Sequence, residues 1–225
     1  MGVAIYSVTS NSGYNASSVD HTSTAGDNYA IVATWQKNVG AGLNHAPDTP
    51  GAPTYGGEAM TYVGTHCVYS GSGDANSRTA GVWLYVKHGI KAGLQAVTFT
   101  PTGGYRGSIG VFTGRWINPA AEDMDGGDNA GGGGYSYTIT TTIGAMTVNI
   151  GTNDVAGQGP SGDGTSCWNI QNDEADNRWD SSFWCEYFVA TGTSKTYDAG
   201  LLGNAAILCA SWAYRLLAGN QVIWI

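Results

Sequence analysis

Between Thr79 and Arg115 apolar side chains recur every second residue in three successive runs. Val82, Leu84 and Val86 alternate with Trp83 and Tyr85. Val97 and Phe99 alternate with Ala96 and Thr98, and Ile109 and Val111 with Gly110 and Phe112. A period of two sends successive side chains to opposite faces of a sheet, so each run can bury a face as a strand. The segments between them, His88 to Gly93 and Pro101 to Gly104, carry the Gly and Pro that turns require. This is the pattern of an antiparallel sheet that turns back on itself.

The same reading extends along the chain. Residues 3–9 form a short leading strand, and NYAIVATW at 28–35 a longer one. Gly56-Gly57 between two short apolar runs signals a hairpin. Tyr135, Tyr137 and Ile139 alternate in one strand, and Met146, Val148 and Ile150 in its partner. FWCEYFVA at 183–190 and NAAILCASWAYRLL at 204–217 read as closing strands. Two stretches look irregular: Trp116 to Gly134, which ends in four glycines, and Asn153 to Asp180, dense in Gly, Asn and Asp. Loops of that length in a compact domain are uncommon and often functional. No segment keeps a helical period, and neither a linker nor an internal repeat is visible. The expectation is an all-β fold, an antiparallel two-sheet β-sandwich of jelly-roll-like winding with long Gly-rich loops. It is read as one domain over residues 1–225, with its core at about 27–154 and closing strands at about 183–190 and 204–217.

Composition narrows the function. Charged residues make up 12% of the 225, against roughly 25% in a typical soluble domain, while 8 Trp and 13 Tyr are present. A surface poor in Lys and rich in Tyr and Trp resembles interface more than free surface. The net charge of −8 argues against nucleic acid or an anionic membrane, which need clustered Lys and Arg. No run approaches 18 apolar residues, and the first residues lack the basic start and apolar core of a signal peptide. The expectation is a protein folded in a reducing cytoplasm. Cys67, Cys167, Cys185 and Cys209 are scattered without metal-binding spacing, so they read as free thiols, and no cofactor is implied.

Four stretches resemble a β-sandwich family that recurs in phage structural proteins and bacterial surface proteins. They are DNYAIVATW, TYGGEAMTYVG, VWLYVKHGIKAGLQAVTFTPTG and the corner VFTGRWINP, and together they span roughly residues 27–154. The segment 153–198 departs from that pattern by its length and its aromatic content. The resemblance implies a virion part: a capsid decoration (cement) protein, a head fibre or a tail-associated module.

The candidate chemistry is sparse. Asp123, Asp125 and Asp128 alternate around glycine and could offer oxygens to calcium, yet no closing bidentate Glu follows, so the stretch reads first as a solvated acidic loop and only second as a calcium site. A second cluster comprises Asp173, Glu174, Asp176 and Asp180. Glu58 and Glu186 are the carboxylates that could flank a glycosidic bond, a role that requires them about 5 to 9.5 Å apart. His66 and Cys67 are sequential strand residues and face opposite ways, so they cannot form a catalytic pair. No nucleophile elbow, zinc helix or phosphate loop appears. Trp116, Trp168, Trp179 and Trp184 lie in or beside the irregular stretches, where they could contact a partner or a sugar, or else pack the core.

The expectation is therefore a non-enzymatic virion protein, not an enzyme, most simply a decoration protein that binds and stabilises the outside of a capsid. Its partner would be the major capsid protein or another virion protein. Self-association, as a homotrimer, would bury the aromatic surface. The alternative is a tail-associated carbohydrate- or receptor-binding module, and a glycan-active enzyme comes third.

Overall fold

The computed structural model describes residues 3–11, 17–40, 43, 47–70, 78–129, 133–153, 159–160, 162, 164–172, 180–201 and 204–214. Among these, every regular element is a strand. The first half of the chain supplies β1 (Ala4–Ser10), β2 (Ser18–Ser23), β3 (Tyr29–Val39), β4 (Gly51–Tyr55), β5 (Glu58–Ala59), β6 (Thr61–Ser70), β7 (Arg78–His88), β8 (Gly93–Thr100) and β9 (Arg106–Arg115). The second half supplies β10 (Asp123–Asn129), β11 (Gly133–Thr140), β12 (Met146–Asn153), β13 (Thr165–Asn172), β14 (Ser181–Val189), β15 (Ser194–Leu201) and β16 (Ala205–Trp212). All pairings are antiparallel. The all-β antiparallel sandwich expected from the sequence is what the chain forms.

It is built from four sheets rather than two. Two five-stranded sheets, ordered β1-β9-β3-β7-β6 and β10-β16-β12-β14-β13, pack face to face. Ile31, Trp35 and Leu84 of the first meet Val148, Phe183 and Trp212 of the second in the central core. The outer face of the first sheet is covered by β2-β8-β4-β5, which packs Val97 and Phe99 against Val32, Trp83 and Val111. The outer face of the second is covered by β11-β15, which packs Tyr135, Ile139 and Tyr197 against Trp184 and Ile207. Layer position explains the local pattern. Inner strands are covered on both faces, so β12 and β16 are buried at every residue, while outer strands such as β8 alternate buried and exposed. The Gly56-Gly57 hairpin is present between β4 and β5, with φ of 58° and 81°, the left-handed pair that a two-residue turn needs.

The two halves wind identically. Replacing β1, β9, β3, β7 and β6 in the first inner sheet by β10, β16, β12, β14 and β13 reproduces the second, and β2-β8 corresponds to β11-β15. Among the described residues β4 and β5 have no counterpart. The chain is thus built twice, with the inner sheets of the two copies sharing the central core, a repeat that the sequence conceals.

Strands also occupy the stretches that read as loops. β2 lies in the polar segment before Asp27, β10 in the 116–134 stretch and β13 in the 153–180 stretch. Each is polar or glycine-rich, and each is at an edge of its sheet, where pairing on one side suffices to order it.

Candidate functional site

The inner sheets end side by side, with β6 bordering β10, and a groove of about 470 Å³ opens between these two edge strands. Its rim carries Tyr62, 52% exposed, and Met124, 44% exposed. A bulge between Tyr62 and Gly64 shifts the pairing of β6 with β7. Tyr62 lies edge-on to Tyr85, with ring centroids 5.8 Å apart at 66°. Two glycines let side chains from across the seam pack directly against the backbone of the edge strands. A Cβ at Gly64 would come 3.0 Å from Met124 Sδ and 3.4 Å from Leu208, and one at Gly126 would come 2.6 Å from the His66 ring. Half-buried His66 is held below its usual pKa by burial, partly offset by the nearby charges of Asp125 and Asp128, which favours the neutral ring at pH 7. Asp125 Oδ1 accepts the Gly126 N–H at 2.8 Å. Aromatic, thioether, imidazole and carboxylate groups thus surround an apolar floor, an arrangement suited to holding a ring and lacking a positioned nucleophile.

Two further polar clusters are sealed inside. Between the first inner sheet and its cover, His21 is fully buried, with Nδ1 3.0 Å from Thr9 Oγ1 and Nε2 3.1 Å from Thr113 Oγ1. Thr113 donates its hydroxyl to Asp27 Oδ2 at 3.0 Å, and the Thr24 N–H donates to the same oxygen at 2.8 Å. With its proton committed to Asp27, Thr113 must accept from His21 Nε2–H, which leaves Nδ1 to accept from Thr9. Burial holds His21 at a pKa of about 4, against a smaller opposing pull from Asp27. Arg115 faces Asp27 at 3.9 Å and lies 4.8 Å from the Tyr6 ring centroid. The second cluster surrounds fully buried Glu186, whose carboxylate accepts from Asn149 Nδ2 at 2.8 Å and from the Gly164 N–H at 3.2 Å. Both clusters join adjacent layers, and their interior position keeps them from substrate.

The structure places the sequence candidates as follows. Asp123, Asp125 and Asp128 lie on strand β10, whose alternation sends Asp128 to the opposite face from the other two. Asp123 accepts N–H groups from Met124 at 2.9 Å and Thr140 at 2.6 Å, and the latter is the main reason its carboxyl sits below the usual range. Among the described residues no three ligating side chains gather to hold a metal. Glycines 126 and 127 allow β10 to be approached closely from both faces, by His66 and by Tyr137. Glu58 and Glu186 do not pair: Glu58 is on an outer sheet, bonded to Lys87 at 2.8 Å, and Glu186 is on β14 of the second inner sheet. The nook beside Glu58 holds about 10 Å³, room for about one water. Cys67 packs toward the outer sheet while His66 overlies Gly126, as their adjacency on a strand requires.

Trp168 and Trp184 are corrected as contact residues. They are 5% and 0% exposed, Trp168 packed against Phe112 and Phe183 and Trp184 beneath the outer β11-β15 sheet. Trp184 is on an interior strand and Trp168 is on the core-facing side of edge strand β13, and both indoles fill the sandwich. Trp116 is half-buried where the first half passes into the second, with φ of 69°, its N–H donating to Asn28 Oδ1 at 3.2 Å and its ring 6.3 Å from that of Tyr214. Trp179 lies outside the described residues, as do Asp173, Glu174 and Asp176. Tyr62, His66 and Met124 were not singled out as a site by sequence reasoning. The groove joins strands about 60 residues apart in sequence, and no local motif marks it.

No protein-family model, no curated protein and no solved structure matches this chain. The resemblance to phage structural sandwiches therefore stands on its four sequence motifs alone.

Proposed function

We propose that this chain is a non-catalytic structural protein of a virion, a decoration protein that binds the outside of an assembled capsid and stabilises it. The observation that carries the reading is where its exposed apolar side chains lie. Of the seven large ones among the described residues, Tyr6 and Val8 are on β1, Tyr62 and Tyr69 on β6, and Met124 on β10. Among the described strands these are free edges of the two inner sheets. Proteins that stay monomeric blunt such edges with charge, whereas these carry aromatic and aliphatic groups suited to an interface. The alternating passage of the chain between an inner and an outer sheet supports a jelly-roll reading of each half. Self-association into a closed ring, such as the homotrimer, would use the same edges. The decoration and the tail-associated readings alike lose Trp168 and Trp184 as contact residues, since both indoles are in the core.

A ligand that binds only the assembled shell stabilises it by mass action, about 2.7 kcal/mol per site at a hundredfold excess over Kd. Particles carrying this protein should resist heat better than stripped particles, and Val8→Lys should weaken attachment without unfolding the sandwich. Stripped particles that keep their heat resistance but fail to adsorb to cells would refute the decoration reading in favour of receptor binding.

A further inference from the structure

The repeated winding makes the two ends of the inner-sheet seam comparable residue by residue. Both edge strands on the equivalent sides carry a bulge, between Tyr62 and Gly64 in β6 and between Ser166 and Trp168 in β13. Aligning the bulges places Gly64 where the other half has Trp168. The cross-strand register then matches Leu84 with Cys185, Ala33 with Ile150 and Gly110 with Leu208. Two checks support this alignment. It also superposes Trp83 on Trp184, each of which points at its own outer sheet. It maps one contact onto another as well: Gly64 sits over Leu208, and Trp168 sits over Gly110, where a Cβ would come 2.5 Å from the indole.

At one end of the seam, then, an indole fills the space between the sheets, resting on Gly110 between Phe112 and Phe183. At the other end the equivalent residue is glycine, and the counterparts of Phe112 and Phe183 are Ala210 and Val82. Leu208 in place of Gly110 refills only part of that volume. The groove between β6 and β10 is the remainder.

We propose that this groove is a docking site for an aromatic side chain, an indole above all, presented by a partner protein. An incoming ring would lie over Gly64 and Leu208, the position that Trp168 takes over Gly110 at the opposite end, once the flexible Met124 thioether, 3.0 Å from where a Cβ on Gly64 would sit, swings aside. Tyr62 offers a ring edge or face at the rim, and Met124 an adaptable thioether. Among the described residues Trp168 has no partner for its indole N–H. Buried aromatic anchors in a pocket of this kind commonly dominate an interface. The inference does not rest on the virion reading, because it concerns the free protein in solution.

The test is an NMR titration of the intact protein with N-acetyltryptophanamide, following the amides of Tyr62, His66 and Met124. The expected result is saturable shifts at these positions, absent with N-acetylleucinamide and unchanged in Tyr69→Ala, which removes an exposed tyrosine on the same strand outside the groove. Gly64→Trp should fill the groove from within, leave the fold intact and weaken the probe by about tenfold or more, equivalent to about 1.4 kcal/mol or more. If that variant does not fold, Tyr62→Ala carries the test, and it should weaken the probe as well. The proposal is overturned by the absence of saturation, or by undiminished binding in the folded Gly64→Trp or in Tyr62→Ala. It is equally overturned if a neutral trisaccharide shifts these amides where the tryptophan probe does not, which assigns the groove to sugar. Shifts that depend on protein concentration alone, with no response to the probe, assign it to a second copy of the chain.

Discussion

Acidification should destabilise this protein through one buried imidazole, and the size of the effect follows from its surroundings. His21 is sealed between two layers, with both ring nitrogens committed to threonine hydroxyls. Its pKa is about 4 in the folded chain against 6.5 for a free histidine. Between those values the unfolded chain binds a proton that the folded chain refuses, so stability falls as pH falls. The contribution is whole above 6.5 and is exhausted below about 4. At about 1.36 kcal/mol per pH unit the full span amounts to roughly 3 kcal/mol, of which about 2 is lost by pH 5. Local relaxation that lets water reach the charged ring would soften the penalty, and we expect a loss of about 1–2 kcal/mol at pH 5. Depressed carboxylates such as Asp123 also titrate in acid, so the measurement must be a difference. Urea unfolding of the parent and of His21→Gln should be followed from pH 7.5 to 4.5. The stability of the parent relative to the variant should drop by that amount over the interval. A difference that stays constant would show that His21 takes up its proton within the folded structure, and the reasoning from burial would be wrong.

Two other outcomes can be checked directly. Trp184→Ala should cost about 3–5 kcal/mol in chemical denaturation, because it empties a fully buried indole site between the second inner sheet and its cover; a loss below about 1 kcal/mol would mean that the outer sheet closes over the gap or contributes little. Thiol titration under denaturing, non-reducing conditions should find all four cysteines free, and oxidised glutathione added to the folded protein should react first at half-buried Cys167, whose thiol neighbours that of Cys185 across the β13–β14 pair; initial reaction at Cys209 would contradict the burial pattern.

The sequence alone determined the fold class, and the physical reason is local. A period of two acts over a few residues, so the runs around Val82, Val97 and Ile109 identify themselves as strands without knowledge of their partners. The Gly56-Gly57 turn is equally local, since the need for left-handed backbone is met by the two residues themselves. Tertiary structure decided the rest. The acidic run at 123–128 lacks strand character by propensity and becomes β10 only because the edge of β16 is there to pair with it. In sequence Trp168 and Trp184 read either as contact residues or as core, and what decides it, the residues that cover them, lies on strands far away in the chain, at Phe112 and at Tyr197. The duplication is hidden because equivalent positions have exchanged volume, tryptophan for glycine and phenylalanine for alanine, while hydrogen-bond register, which makes few demands on side-chain identity, has kept the winding. The groove follows from that exchange. It depends on which residues meet across the seam of two sheets, and those contacts join segments too distant in sequence for any local pattern to record.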